Sequence, residues 1–143
     1  MLSLTCKASI KAVIFLGSQF SSGKKSGIRE IAEFINENEH TVGKLLQRLV
    51  KEDIIKSSKG PRGGFYISSK QKDQHIIRIV KAIDGESVFE HCGLGLSRCS
   101  ESRPCPLHND FKPVRELFKR MCEEKKVSDL YENVNNGLAY LIG

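Results

Sequence analysis

From Asn38 onward the apolar positions recur at three- and four-residue steps, so that Val42, Leu45, Leu46 and Leu49 share one face of a helix. The opposite face carries Thr41, Lys44, Gln47, Arg48 and Lys51, cations and hydrogen-bonding side chains without an acid. Those side-chain types contact phosphates and base edges in a DNA major groove. Behind the helix the period shortens. Ile54-Ile55-Lys56-Ser57 and Phe65-Tyr66-Ile67 read as two short strands. The connector Ser58-Lys59-Gly60-Pro61-Arg62-Gly63-Gly64 has a proline that fixes φ and glycines that permit positive φ. It predicts a tight exposed tip presenting Lys59, Arg62 and Gly63. A solvated helix followed by an ordinary hairpin remains the plain alternative for this segment alone.

Upstream, Cys6, Ile10, Val13, Ile14 and Leu16 predict a largely buried helix from Leu4 to about Phe20. Residues 21–25 break it. A second helix starts at Ser26 or Gly27, turns Ile28, Ile31, Ala32 and Ile35 inward, and ends near Asn36. A short turn between two amphipathic helices is a helix-turn-helix pattern, and it puts Ser26 and Arg29 where a helix N-terminus meets a phosphate. Downstream, Asp73 caps a fourth helix with Ile76, Ile77, Val80 and Ile83 inward, stopped by Gly85. Residues 86–106 lose periodicity, and a loop of that length in a compact domain is usually functional. Phe111, Val114, Leu117, Phe118, Met121 and Cys122 then mark a second long amphipathic helix. A last short helix begins near Asp129, with Glu132 at capping-box spacing.

The expected fold is mainly α with a small β-hairpin wing: a winged helix-turn-helix at 1–84, a cysteine-rich loop at 85–108, and a dimerisation helix with a C-terminal helix at 109–143. The stripe of Phe111, Val114, Leu117, Phe118 and Met121 lacks an obvious partner in its own domain. It reads as a homodimer seam, because paired half-sites in a palindromic operator need a two-fold. Packing back on the first helix is the alternative, and the two are compatible.

Charge sharpens the partner. Lys44 to Lys72 holds eight Lys and Arg against Glu52 and Asp53, a balance of +6 that equals the formal charge of all 143 residues. Concentrated on the reading helix and wing, it points to double-stranded DNA. The apolar run Ala12–Leu16 is too short for a secretory core or a membrane span, so a cytoplasmic protein is expected. Neither a nucleotide-binding glycine loop nor paired acid–base residues is recognisable, which argues against an enzyme.

Five cysteines, three of them in one loop, do not form a disulfide framework and imply a reducing compartment. The loop spacing is C-x6-C-x5-C-x2-H over Cys92, Cys99, Cys105 and His108. Three thiols in 14 residues can converge on one soft metal centre. Paired zinc knuckles are missing, so an iron–sulfur cluster fits better than zinc, although zinc or no metal stays open. Pro106 as a first helical residue would put Cys105 at a helix N-terminus, where a thiolate is favoured. Cys6 and Cys122 lie on apolar stripes and read as inert core.

The reading helix, Gly60-Pro61-Arg62-Gly63-Gly64-Phe65-Tyr66, Ala82-Ile83-Asp84-Gly85, the loop cysteines and Cys105-Pro106-Leu107-His108 together resemble the iron–sulfur winged-helix transcription regulators. That family includes the cluster-biogenesis regulator and the nitric-oxide-sensing repressor, and the resemblance covers essentially the whole chain. It implies a homodimeric regulator with a crossed dimerisation helix, whose cluster, 2Fe-2S rather than 4Fe-4S, alters DNA affinity in response to redox, nitric oxide or iron–sulfur supply. An electron-transfer protein using the same cluster is the less favoured alternative. Cys92, Cys99 and Cys105 match the ligand cysteines, with a first gap one residue longer than in the biogenesis regulator, and His108 matches its histidine ligand. Ala8 stands in the region of the nitric-oxide sensor's aspartate, and Gly43 where the biogenesis regulator has a base-reading glutamate. Operator sequence is therefore not implied.

Overall fold

A computed structural model describes residues 1–97 and 100–142. Its centre is α1 (Leu4–Ser18), which is apolar nearly all round and accordingly surrounded. Ser3 caps it by accepting from the Cys6 N–H at 3.0 Å. Asp84, far along the chain, in turn accepts from both the backbone and the hydroxyl of Ser3. Ala12, Val13, Phe15 and Leu16 meet α2 (Ile28–Ile35) and α3 (Glu39–Lys51) in the main core, where Phe15 and Phe34 stack with centroids 4.2 Å apart.

The turn between α2 and α3 forms for the local reasons its sequence supplies. Asn36 adopts the left-handed conformation at φ 56°, and Glu37 N–H reaches back to Ala32 O at 2.9 Å. Asn38 Oδ1 then accepts from the N–H groups of His40 at 2.8 Å and Thr41 at 3.3 Å. Leu45, Leu46 and Leu49 are fully buried, each contributing about 1.5–3 kcal/mol.

The wing pairs β1 (Lys56–Ser58) antiparallel with β2 (Gly64–Tyr66), in the register Lys56↔Tyr66, Ser57↔Phe65, Ser58↔Gly64. The first strand begins later than its apolar run predicts. Ile54 and Ile55 lie before it, buried in the core as a plug below α3, after Asp53 turns the chain at φ 58°. Glycine is required at 64, where φ is 143° and a Cβ would come within 2.9 Å of Ser26 O.

Beyond the wing, α4 (Ile76–Asp84) has His75 at its N-cap position rather than Asp73, which lies in a preceding 3-10 turn. It buries Ile76, Ile79 and Val80, whereas Ile77 and Ile83 are only half-buried. The loop after it is anchored by a 3-10 turn at Glu86–Phe89, whose Val88 and Phe89 join Cys6, Val80 and Cys122 in a second core cluster. The long helix α5 (His108–Glu124) enters that cluster through Cys122 and Phe118, the latter 5.7 Å from Phe89 between ring centroids. Finally α6 (Val127–Asn135) returns to α1, placing Val127 and Tyr131 in the main core. Its start is two residues earlier than the sequence predicts, because Asp129 is the in-helix carboxylate that accepts from Lys126 N–H at 2.9 Å.

Candidate nucleic-acid interface and cysteine centre

With its leucines inward, α3 presents Thr41, Lys44, Gln47, Arg48 and Lys51 to solvent, all exposed. Thr41, Lys44 and Arg48 line a groove together with Thr5, His40 and Ile83. Gln47 and Lys51 lie outside it. At the wing tip Lys59 and Arg62 are exposed, and Gly63 packs so closely on Ser58 O that no side chain fits there. Lys44, Lys51, Lys59 and Arg62 make no ion pair among the described residues, so their charge faces outward. Lys56 differs. Its ammonium donates to Asp53 at 2.9 Å, and that hydrogen bond raises the lysine's pKa and lowers the aspartate's.

Two predicted phosphate contacts fare differently. Arg29 is exposed, with Glu33 at 3.5 Å and Glu39 at 3.9 Å as loose partners. Ser26, by contrast, is fully buried and turned inward. Its backbone exchanges hydrogen bonds with Phe65 at 3.0 and 2.8 Å, its hydroxyl donates to Gln19 Oε1 at 2.5 Å, and Gly27 takes the N-cap position of α2. Ser26 therefore closes the wing instead of reaching a phosphate. Sequence reasoning passed over His40, exposed in the first turn of α3 and lining the same groove as Lys44. It also missed Lys25, which donates to Ser58 Oγ at 3.1 Å and lies 4.9 Å from the Tyr66 ring centroid. The signal for His40 was its four-residue step to Lys44; nothing local marks Lys25.

In the loop, Cys92 and Cys105 come together across 13 positions of sequence, their sulfurs 3.4 Å apart and both residues buried. That gap is too long for a disulfide, about 2.05 Å, and close to the roughly 3.8 Å that separates two thiolates bound to one tetrahedral metal at about 2.3 Å. The Leu94 N–H points to Cys92 Sγ at 3.4 Å, a contact that favours a thiolate. The two sulfurs thus fit a thiolate-bound metal group. Cys99 lies outside the described residues. His108 is buried at the first position of α5, and its N–H donates to Cys105 O at 3.0 Å. That i→i+3 closure delays the helix until 108, so Cys105 precedes the N-terminus instead of occupying it as Pro106 predicts. Among the described residues no three His, Cys, Asp or Glu side chains converge closely enough to hold a metal ion.

The predicted seam on α5 divides. Val114, Leu117 and Met121 are exposed, Phe118 packs into the second cluster, and Phe111 covers Gly93 of the cysteine loop. Pro113, also exposed, falls in the second turn of the helix. No helix among the described residues is long and apolar enough to cross a membrane.

A three-helix head with a basic third helix, a basic-tipped hairpin and an appended long helix defines a winged-helix DNA-binding protein. Residues 2–133 match the family model described as Rrf2, iron-dependent transcriptional regulator, and the chain belongs to that family of transcriptional regulators. It is 23% identical over 133 residues to the HTH-type transcriptional regulator NsrR of Oceanobacillus iheyensis, covering 92% of this chain and 90% of that protein. A putative HTH-type transcriptional regulator of Aquifex aeolicus is 26% identical over 105 residues, covering 72% of this chain and 73% of the relative. Two solved structures share the fold. One is the global cysteine regulator CymR of B. subtilis, at TM-score 0.74 and 18% identity over 92% of this chain and 96% of the other. The second is IscR of T. potens, at TM-score 0.72 and 16% identity over 98% and 92%.

Proposed function

We propose that this regulator is a homodimer that binds a palindromic duplex operator with an affinity set by an iron–sulfur cluster, 2Fe-2S by preference. Cys92, Cys99 and Cys105 are the thiolate ligands in this reading, and His108, joined to Cys105 through the backbone, is the fourth donor. The cluster supplies one-electron chemistry and a target for oxidants or nitric oxide. The chain's own residues do the rest. Lys44, Gln47, Arg48 and Lys51 of α3 read and grip the groove, while Arg29, Lys59 and Arg62 neutralise flanking phosphates. The labour divides along the chain: residues 1–84 read DNA, 85–108 hold the centre, and 109–143 pair the subunits.

The observation that carries the cluster reading is the Cys92–Cys105 pair, two buried sulfurs 3.4 Å apart. The family's description as iron-dependent and the resemblance of the loop spacing support it. Absorption spectroscopy and metal analysis of anaerobically purified protein test it. The wild type is expected to be coloured and to contain iron and sulfide, and Cys92→Ser and Cys105→Ser to lose both. A colourless protein carrying zinc, or no metal, contradicts the reading.

A further inference from the structure

We infer that Arg115 is a positioning residue that holds Cys92 beside Cys105, making the long helix a splint for the cysteine centre. The inference rests on reading the two cysteines as one centre. Arg115 lies two turns into α5, and its guanidinium Nη1 donates to the carbonyls of His91 at 2.7 Å and Glu90 at 3.1 Å. These are the two carbonyls immediately before Cys92. One cation gripping two successive carbonyls fixes the peptide planes there, and with them the direction of the next Cα–Cβ bond.

One helical turn earlier, Phe111 lies against Gly93, the residue that follows Cys92. A Cβ on Gly93 would come within 2.8 Å of the Phe111 ring, so the ring backs the residue just after Cys92 on one side. Phe111 and Arg115 are four apart and share a helix face, so one face grips both neighbours of one thiol. On the far limb of the loop, Lys112 pairs with Glu101, whose carboxyl is held below the usual range by that hydrogen bond.

Cys92 is buried among exposed neighbours. Glu90, His91, Gly93, Leu94, Gly95 and Leu96 are all exposed, yet Cys92 retains only 9% of its accessible surface. On the α5 side, Arg115 supplies two polar contacts with the segment.

Site-resolved alkylation tests this without any metal. Full-length wild type, Arg115→Met and Arg115→Lys are stripped by a chelator, kept reduced, and exposed to iodoacetamide, with each cysteine followed by mass spectrometry. Arg115→Met keeps the packing stem but removes the donors, and Cys92 should react roughly tenfold faster, the scale of two lost charge-assisted hydrogen bonds to exposed carbonyls. Cys6 and Cys122 should keep their wild-type rates, and Arg115→Lys should fall near the wild type. An unchanged Cys92 rate in Arg115→Met overturns the inference, and so does an equal acceleration at Cys6 and Cys122, which would make Arg115 merely structural. If the wild type holds no cluster, the proposed function fails but the alkylation result stands. If it holds one and the Cys92 rate does not move, Arg115 alone is excluded.

Discussion

Single residues show which side chains the fold tolerates and which it demands. Gly43 sits inside α3, and a Cβ there would meet only Ile28 Cδ1, at 3.6 Å, an ordinary contact. Gly43→Ala should therefore stabilise the protein by roughly 0.5–1 kcal/mol through helix propensity. A urea titration would register that as a higher midpoint with an unchanged slope, and a lower midpoint would contradict the packing described. Gly17 is the opposite case, since any Cβ would strike the Tyr131 ring where α6 lies on α1. Cys6 illustrates inertness: burial, followed by the Asp84 and Cys122 charges, pushes its pKa up to about 12. At pH 8 so little of it is thiolate that it serves as an internal control for loop-cysteine chemistry.

Among the elements, the wing makes the most accessible prediction. Lys59 and Arg62 stand exposed at its tip without acidic partners among the described residues, and the residues that hold the hairpin together are Ser26, Gly64 and Phe65. Replacing Lys59 and Arg62 by alanine should leave the thermal transition unchanged and reduce the log–log salt dependence of DNA binding by about 0.9 per lost phosphate contact. A slope equal to the wild type would take the wing out of the interface. The helix-turn-helix was legible in the sequence because its determinants are local: the leucine stripe, Asn36 in a left-handed turn, and the Asn38 cap. What was not legible depends on partners distant in sequence. Ser26 resembles a helix start until Phe65 pairs with its backbone. Ile54 and Ile55 resemble a strand until the core below α3 claims them. Pro106 resembles a first helical residue until His108 bonds back to Cys105.

For the whole molecule, α5 connects the cysteine loop, the second core cluster and a line of exposed apolar side chains. Its sequence stripe was visible, but the division of that stripe was not, because Phe111 and Phe118 are claimed by Gly93 and Phe89, which no periodicity reveals. Leu117, at 63% exposure, remains outward between Val114 and Met121. Leu117→Asp should cost little within one subunit and roughly several kcal/mol if a second subunit covers it without water. Light scattering is expected to show a wild-type dimer and a variant monomer; a dimeric variant would move the contact elsewhere. In the proposed regulator this assembly and its DNA affinity answer to the cysteine centre, and one measurement tests that coupling directly. A duplex is selected from a random pool with anaerobically purified protein. Its affinity and the protein's visible absorption are then followed on a single sample as nitric oxide is added. The account predicts that the absorption bleaches and the affinity changes in step, by about tenfold or more, a shift of about 1.4 kcal/mol. An affinity that stays constant while the colour is lost would contradict it.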